Sequence, residues 1–145
     1  ESVRRNGADW PKLTWIMDMS VETNILPLSS LPMPDTADFF SRPGRFGSHN
    51  VHENQPVPTA FTSEELVFGT YFSGGLRVHD IRNPFQPVEV ASFIPEPVAT
   101  SEAMQQYEDG LLEGVNLNDV YVDENRLVYT VDRVRGGLYI LELTI

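Results

Sequence analysis

The sequence predicts an all-β protein assembled from repeated antiparallel units of short strands, and three observations lead there. Bulky and polar side chains alternate at period 2 instead of recurring at three and four. Eleven prolines and ten glycines (Gly 10, Pro 11) punctuate 145 residues, which no long helix tolerates. One stretch also recurs at a fixed interval: Gly75-Leu76-Arg77-Val78-His79-Asp80-Ile81 returns 62 positions later as Gly137-Leu138-Tyr139-Ile140-Leu141-Glu142-Leu143. The same interval upstream reaches Leu13-Thr14-Trp15-Ile16-Met17-Asp18-Met19, so Asp18, Asp80 and Glu142 share one register.

The similarity extends to both sides of this core. Arg82-Asn83-Pro84-Phe85-Gln86-Pro87 is a turn by composition and leads into the alternating run Val88 to Ile94. Leu66 to Tyr71 matches Leu127 to Val131, each running on to a Gly-Gly pair, and Asn50-Val51-His52-Glu53 takes the place of Asp119-Val120-Tyr121-Val122. One unit therefore holds four strands, A (49–53), B (66–71), C (76–81) and D (88–94). Four strands per unit, joined by tight turns and repeated, is the pattern of a β-propeller blade.

On this reading residues 8–145 are part of a single propeller domain. Segment 10–34 holds strands C and D of one blade, 49–97 is a full blade, and 117–145 holds strands A to C of the next. Segments 35–48 and 98–117 are loops, and Ser101 followed by Glu102-Ala103-Met104-Gln105-Gln106-Tyr107-Glu108 predicts one or two helical turns in the second. Nine strands begin and stop in mid-blade, whereas a ring closes only when every blade is filled. Two identical copies would leave one blade with five strands. The expected partner is a non-identical chain or the remainder of the chain's own precursor.

The run Gly75 to Val88 resembles the LVIVD repeat, in which a Gly-Leu, a β-branched run and an Asp precede an Asn/Asp-Pro-x-x-Pro turn. Gly44-Arg45-Phe46-Gly47-Ser48-His49-Asn50-Val51-His52-Glu53-Asn54, the Asn118 to Asp123 segment and Gly136 to Glu142 together are similar to the C-terminal part of a group of bacterial LVIVD-repeat proteins. The resemblance covers roughly residues 8 to 143. In the first unit Val21-Glu22-Thr23-Asn24 stands where the Asn-Pro turn would be. What the resemblance implies is a propeller, with no single activity attached.

Ten basic residues against 21 acidic ones leave a formal charge of −11, a balance that repels nucleic acid and anionic lipid alike. Without cysteine there are no disulfides, thiolate metal sites or cysteine nucleophile. No apolar run approaches the roughly 20 residues that span a bilayer, so membrane insertion is not expected. The chain reads as soluble, compatible with a secreted or periplasmic setting among others.

Function is expected where the D-to-A and B-to-C connections of a propeller open on a common face. Arg42, Arg45, Phe46, Met104, Tyr107 and Glu108 come from the long loops; Tyr71, Phe72, Asp132, Arg133 and Arg135 come from the turns. His49, at the start of strand A, is the leading candidate for acid/base catalysis or for ligating a divalent metal ion, with Asp119, Arg45 and Asp132 as catalytic partners. Tyr71, Phe46, Arg133 and Tyr107 are the candidate substrate contacts. His52, three residues after His49, should face the other side of the strand and meet the neighbouring sheet. His79 and the acids at the Asp80 register read as structural. Two functions fit these residues: an enzyme acting on a small molecule in that pocket, or a non-catalytic module binding a protein or carbohydrate.

Overall fold

A computed structural model of the chain describes residues 12–35, 42, 44–97, 114–134 and 136–145. Among the described residues there is no helix, and eight strands form three antiparallel sheets in sequence order. The first sheet pairs β1 (Trp15–Asp18) with β2 (Leu26–Ser30). The second is β3 (Leu66–Thr70), β4 (Leu76–Asp80) and β5 (Val88–Phe93); the third is β6 (Leu117–Val122), β7 (Leu127–Asp132) and β8 (Gly137–Glu142). The helical turns expected within 98–116 fall outside the described residues.

The tight connections follow from local chemistry. Asp18 and Asp80 each accept a backbone N–H two residues on, from Ser20 at 2.8 Å and Arg82 at 2.9 Å, as Asx-type turns do. The Arg82 guanidinium also pairs with Asp80 and, with that backbone bond, holds its carboxyl below the usual carboxylate range. Between β3 and β4, Gly75 has a φ of 80°, and a Cβ there would lie 2.3 Å from the Phe93 carbonyl oxygen. Only glycine fits.

Strand A is the main departure from expectation. Residues 49–53 are not a regular strand but touch β3 through one bridge, Val51 to Gly69, so the second sheet has three full strands and a short added edge. The backbone bonds show why. Thr70 accepts from the His49 N–H at 2.8 Å yet donates to the Asn50 carbonyl at 2.9 Å, and the His52 N–H then reaches Phe68 at 2.9 Å. Two residues thus oppose one, which is a bulge, and a bulge shifts the alternation of side chains by one position. His49 and His52 consequently both lean on β6, at Asn118 and Val122, instead of facing opposite sides.

The core lies between the second and third sheets. Phe68, Leu76 and Val78 on one side meet Val115, Leu117, Val120, Val122 and Val128 on the other. The register pairs Phe68 with Val78 and Thr70 with Leu76, so these side chains share one face. Arg77, His79 and Tyr71 occupy the opposite face of that sheet, turned toward the 12–35 segment, where Pro32 and Thr14 are their neighbours.

Candidate functional site

Four separate pieces of chain meet at one end of the second and third sheets. Phe72, in the β3–β4 turn, bridges both Phe46 and Leu117. Its N–H donates to the Leu117 carbonyl at 2.9 Å, and its own carbonyl accepts from Gly75 at 2.9 Å. Ser73 closes the arrangement by donating its N–H, at 3.0 Å, and its hydroxyl to the Arg45 carbonyl. Phe72 is fully buried and has a φ of 52°. A bulky residue in the left-handed region is a backbone outlier that costs on the order of 1–3 kcal/mol. The surrounding bonds hold it there.

Three polar side chains use this ring as a platform. The Arg45 guanidinium lies 5.7 Å from its centroid and that of Arg133 5.8 Å, both within cation–π range. The His49 ring meets it edge-on, centroids 4.7 Å apart at 66°. Gly47, with a φ of 110°, lets the chain turn between Phe46 and His49.

His49 Nδ1 stands 2.6 Å from the Asn118 carbonyl oxygen. A carbonyl can only accept, so Nδ1 carries the proton and, in the neutral ring, Nε2 carries the lone pair. His52 has the opposite tautomer. Its Nδ1 accepts from the Val122 N–H at 3.2 Å, and its Nε2 donates to the Phe61 carbonyl at 2.7 Å. Flanked by the rings of Tyr121 and Phe68, His52 clamps the strand-A edge to the third sheet.

Of the residues singled out by sequence, His49, Arg45, Phe46 and Arg133 do come together here. Phe46 is fully buried against Met33 and walls the cluster from within. Asp132 lies at the same end, but both of its oxygens accept backbone N–H groups, Oδ2 from Asn116 and Oδ1 from Val134, each at 2.9 Å. That geometry ties the β7–β8 turn to the start of β6. Asp119 is exposed, pairs in register with Val131 and caps the N–H of Val120 at 3.0 Å, so it is not brought to His49 by any contact of its carboxylate. Tyr71 turns to the other side of its sheet, beside His79, where burial pushes its hydroxyl up to about 12. Tyr107 and Arg135 lie outside the described residues.

Among the described residues no three His, Asp or Glu side chains converge as a metal site requires. His49 is the ligand that this end of the molecule offers, and the described residues do not make a set around it. Sequence reading did not weigh Asn118, whose carbonyl orients His49, or single out Phe72 as the platform. The Tyr71-Phe72 pair before Gly74-Gly75 was a visible signal for the turn, though not for its left-handed residue.

The described chain is thus an all-β protein of antiparallel sheets with an aromatic-floored polar cluster at one end. No family model, curated protein or solved structure matches it.

Proposed function

We propose that the chain is a section of a β-propeller whose loop end holds a small-molecule site, with His49 as the proton-transfer group. The propeller part is supported by the 62-residue repeat, by three successive antiparallel sheets in sequence order, and by the resemblance to LVIVD repeats. It is also supported by the outer faces. Trp15 and Met17 on the first sheet are 59% and 41% exposed, and Leu138 and Ile140 on the third are each 57% exposed. Apolar sheet faces of this kind call for another sheet against them, supplied by the precursor or a second, different chain.

One observation carries the catalytic part: the imidazole of His49 is held by a backbone carbonyl on Nδ1, which fixes the tautomer that presents Nε2 as base. A base oriented by a third group is the arrangement that proton transfer needs. Asp132 and Asn116 then serve as supports of the site, and Arg45 and Arg133 as groups that hold the substrate.

The test is His49→Gln, which preserves a donor toward Asn118 while removing the base. Turnover of any substrate found by screening is expected to fall at least ~100-fold, with the unfolding midpoint little changed. Undiminished turnover would remove His49 from the chemistry and leave a binding module.

A further inference from the structure

The cluster at Phe72 has a charge that the rest of the molecule does not prepare for. The chain carries a formal −11, and only ten of its residues are Lys or Arg. Two of those ten share a single phenyl ring. Among the described residues neither Arg45 nor Arg133 forms an ion pair, and the nearby Asp132 carboxylate is committed to the backbone of Asn116 and Val134. Like charges gathered on one platform repel, and acids to neutralise them are plentiful elsewhere in this sequence.

Hydrogen bonding points the same way. Arg45 Nε is buried and has no hydrogen-bond partner. A charged donor removed from water without an acceptor is costly, and native structures seldom leave one so. The ring face attracts the guanidinium charge but offers this N–H no acceptor in the plane of the fork. An oxyanion suits the guanidinium as a whole, whose paired donors match carboxylate and phosphate oxygens.

We infer that Arg45 and Arg133 bind the oxyanion of a small ligand, a carboxylate or a phosphate monoester, beside His49. This rests on the reading of the cluster as a small-molecule site and names the substrate class for it. The two guanidiniums supply charge and orientation, both stand at the Phe72 ring, and the His49 imidazole lies edge-on against the same ring. Because Arg133 is exposed and Arg45 half-buried, the anion is met first by Arg133 and desolvated at Arg45.

Isothermal titration calorimetry on the full chain tests this, with inorganic phosphate, succinate and, as a control without negative charge, choline. Saturable binding of phosphate or of succinate is expected, and which of the two binds identifies the oxyanion. Choline should give no heat of binding. Arg133→Gln, at an exposed position, should weaken the anion at least ten-fold, and Arg45→Lys, which retains charge but loses the fork, should do likewise. No saturable binding by either anion would overturn the assignment, as would binding that both variants leave intact. Anion binding without turnover would leave it standing and count against proton transfer by His49; turnover of neutral substrates without anion binding would do the reverse.

Discussion

Strand β4 shows a different chemistry to each of its neighbours. Toward the third sheet it turns Leu76 and Val78, which join Phe68 and the valines of β6 and β7 in an apolar layer. Toward the 12–35 segment it turns Arg77 and His79, with Tyr71 just after β3 and Glu89 from β5. Each apolar side chain of the first layer contributes about 1.5–3 kcal/mol by leaving water. The second layer stands on other terms. Arg77 donates to the Gly74 carbonyl at 2.7 Å and to Glu89 at 3.0 Å, so most of its desolvation is offset by bonds. His79 is fully buried with neither ring nitrogen hydrogen-bonded; the Pro32 carbonyl lies against the ring without reaching bonding geometry. One layer holds the sheets together through area. The other is sensitive to charge, and it is where the association of the sheets responds to conditions.

The sharpest way to break this comparison is to hollow out the apolar layer. Phe68→Ala should cost about 3–5 kcal/mol in urea unfolding, the range for a fully buried aromatic. A loss under about 1 kcal/mol would mean that the layer is not the core.

A smaller effect is expected from the ion pair in the polar layer. Glu89→Gln removes the carboxylate from Arg77 and should cost roughly 1–3 kcal/mol, below the value for a fully dry pair because Glu89 remains 28% exposed. Replacing both partners, Arg77→Met with Glu89→Leu, should recover most of that loss. If the double variant is as unstable as the single one, the layer depends on Arg77 itself, through its bond to Gly74, more than on the pair.

The smallest effect is a pH slope. Burial holds the His79 imidazole below its ordinary value, with Glu89 opposing and Arg77 reinforcing the shift. The folded protein therefore binds fewer protons at this position than the unfolded chain. Stability from His79 is fully present above the unfolded value of about 6.5 and declines as pH falls from there toward the lowered folded value, by at most about 1.4 kcal/mol per pH unit. Melting temperatures between pH 8 and pH 5 should fall less steeply for His79→Phe than for the wild-type chain. Parallel curves would place the proton uptake elsewhere.

The strands of the second sheet were legible in the sequence to within one residue. Expected at 66–71, 76–81 and 88–94, they run Leu66–Thr70, Leu76–Asp80 and Val88–Phe93. Alternation, the Asx-type acids and the Gly-Gly and Asn-Pro turns are all local signals, each acting over two to six residues, and they survive any tertiary environment. The acids at Asp18 and Asp80 likewise do what their residue type and position suggest. The 62-residue repeat added a longer rule, that three such sheets should follow one another in sequence order.

Tertiary structure decided the rest. Whether His49 and His52 lie on one side or two turns on a bulge, and the bulge is made by Thr70, some 20 residues along the chain. The tautomer of His49 is set by Asn118, 69 positions away. Phe72 stands in its left-handed conformation between bridges to Phe46 and Leu117, held by its own bond to Leu117 and that of Ser73 to Arg45, and Arg45 and Arg133 both lie against its ring. None of these leaves a local mark, because each depends on a backbone hydrogen bond between segments that only folding brings together. The residues of the site are named by their types and spacings; their geometry belongs to the packing of the second sheet against the third.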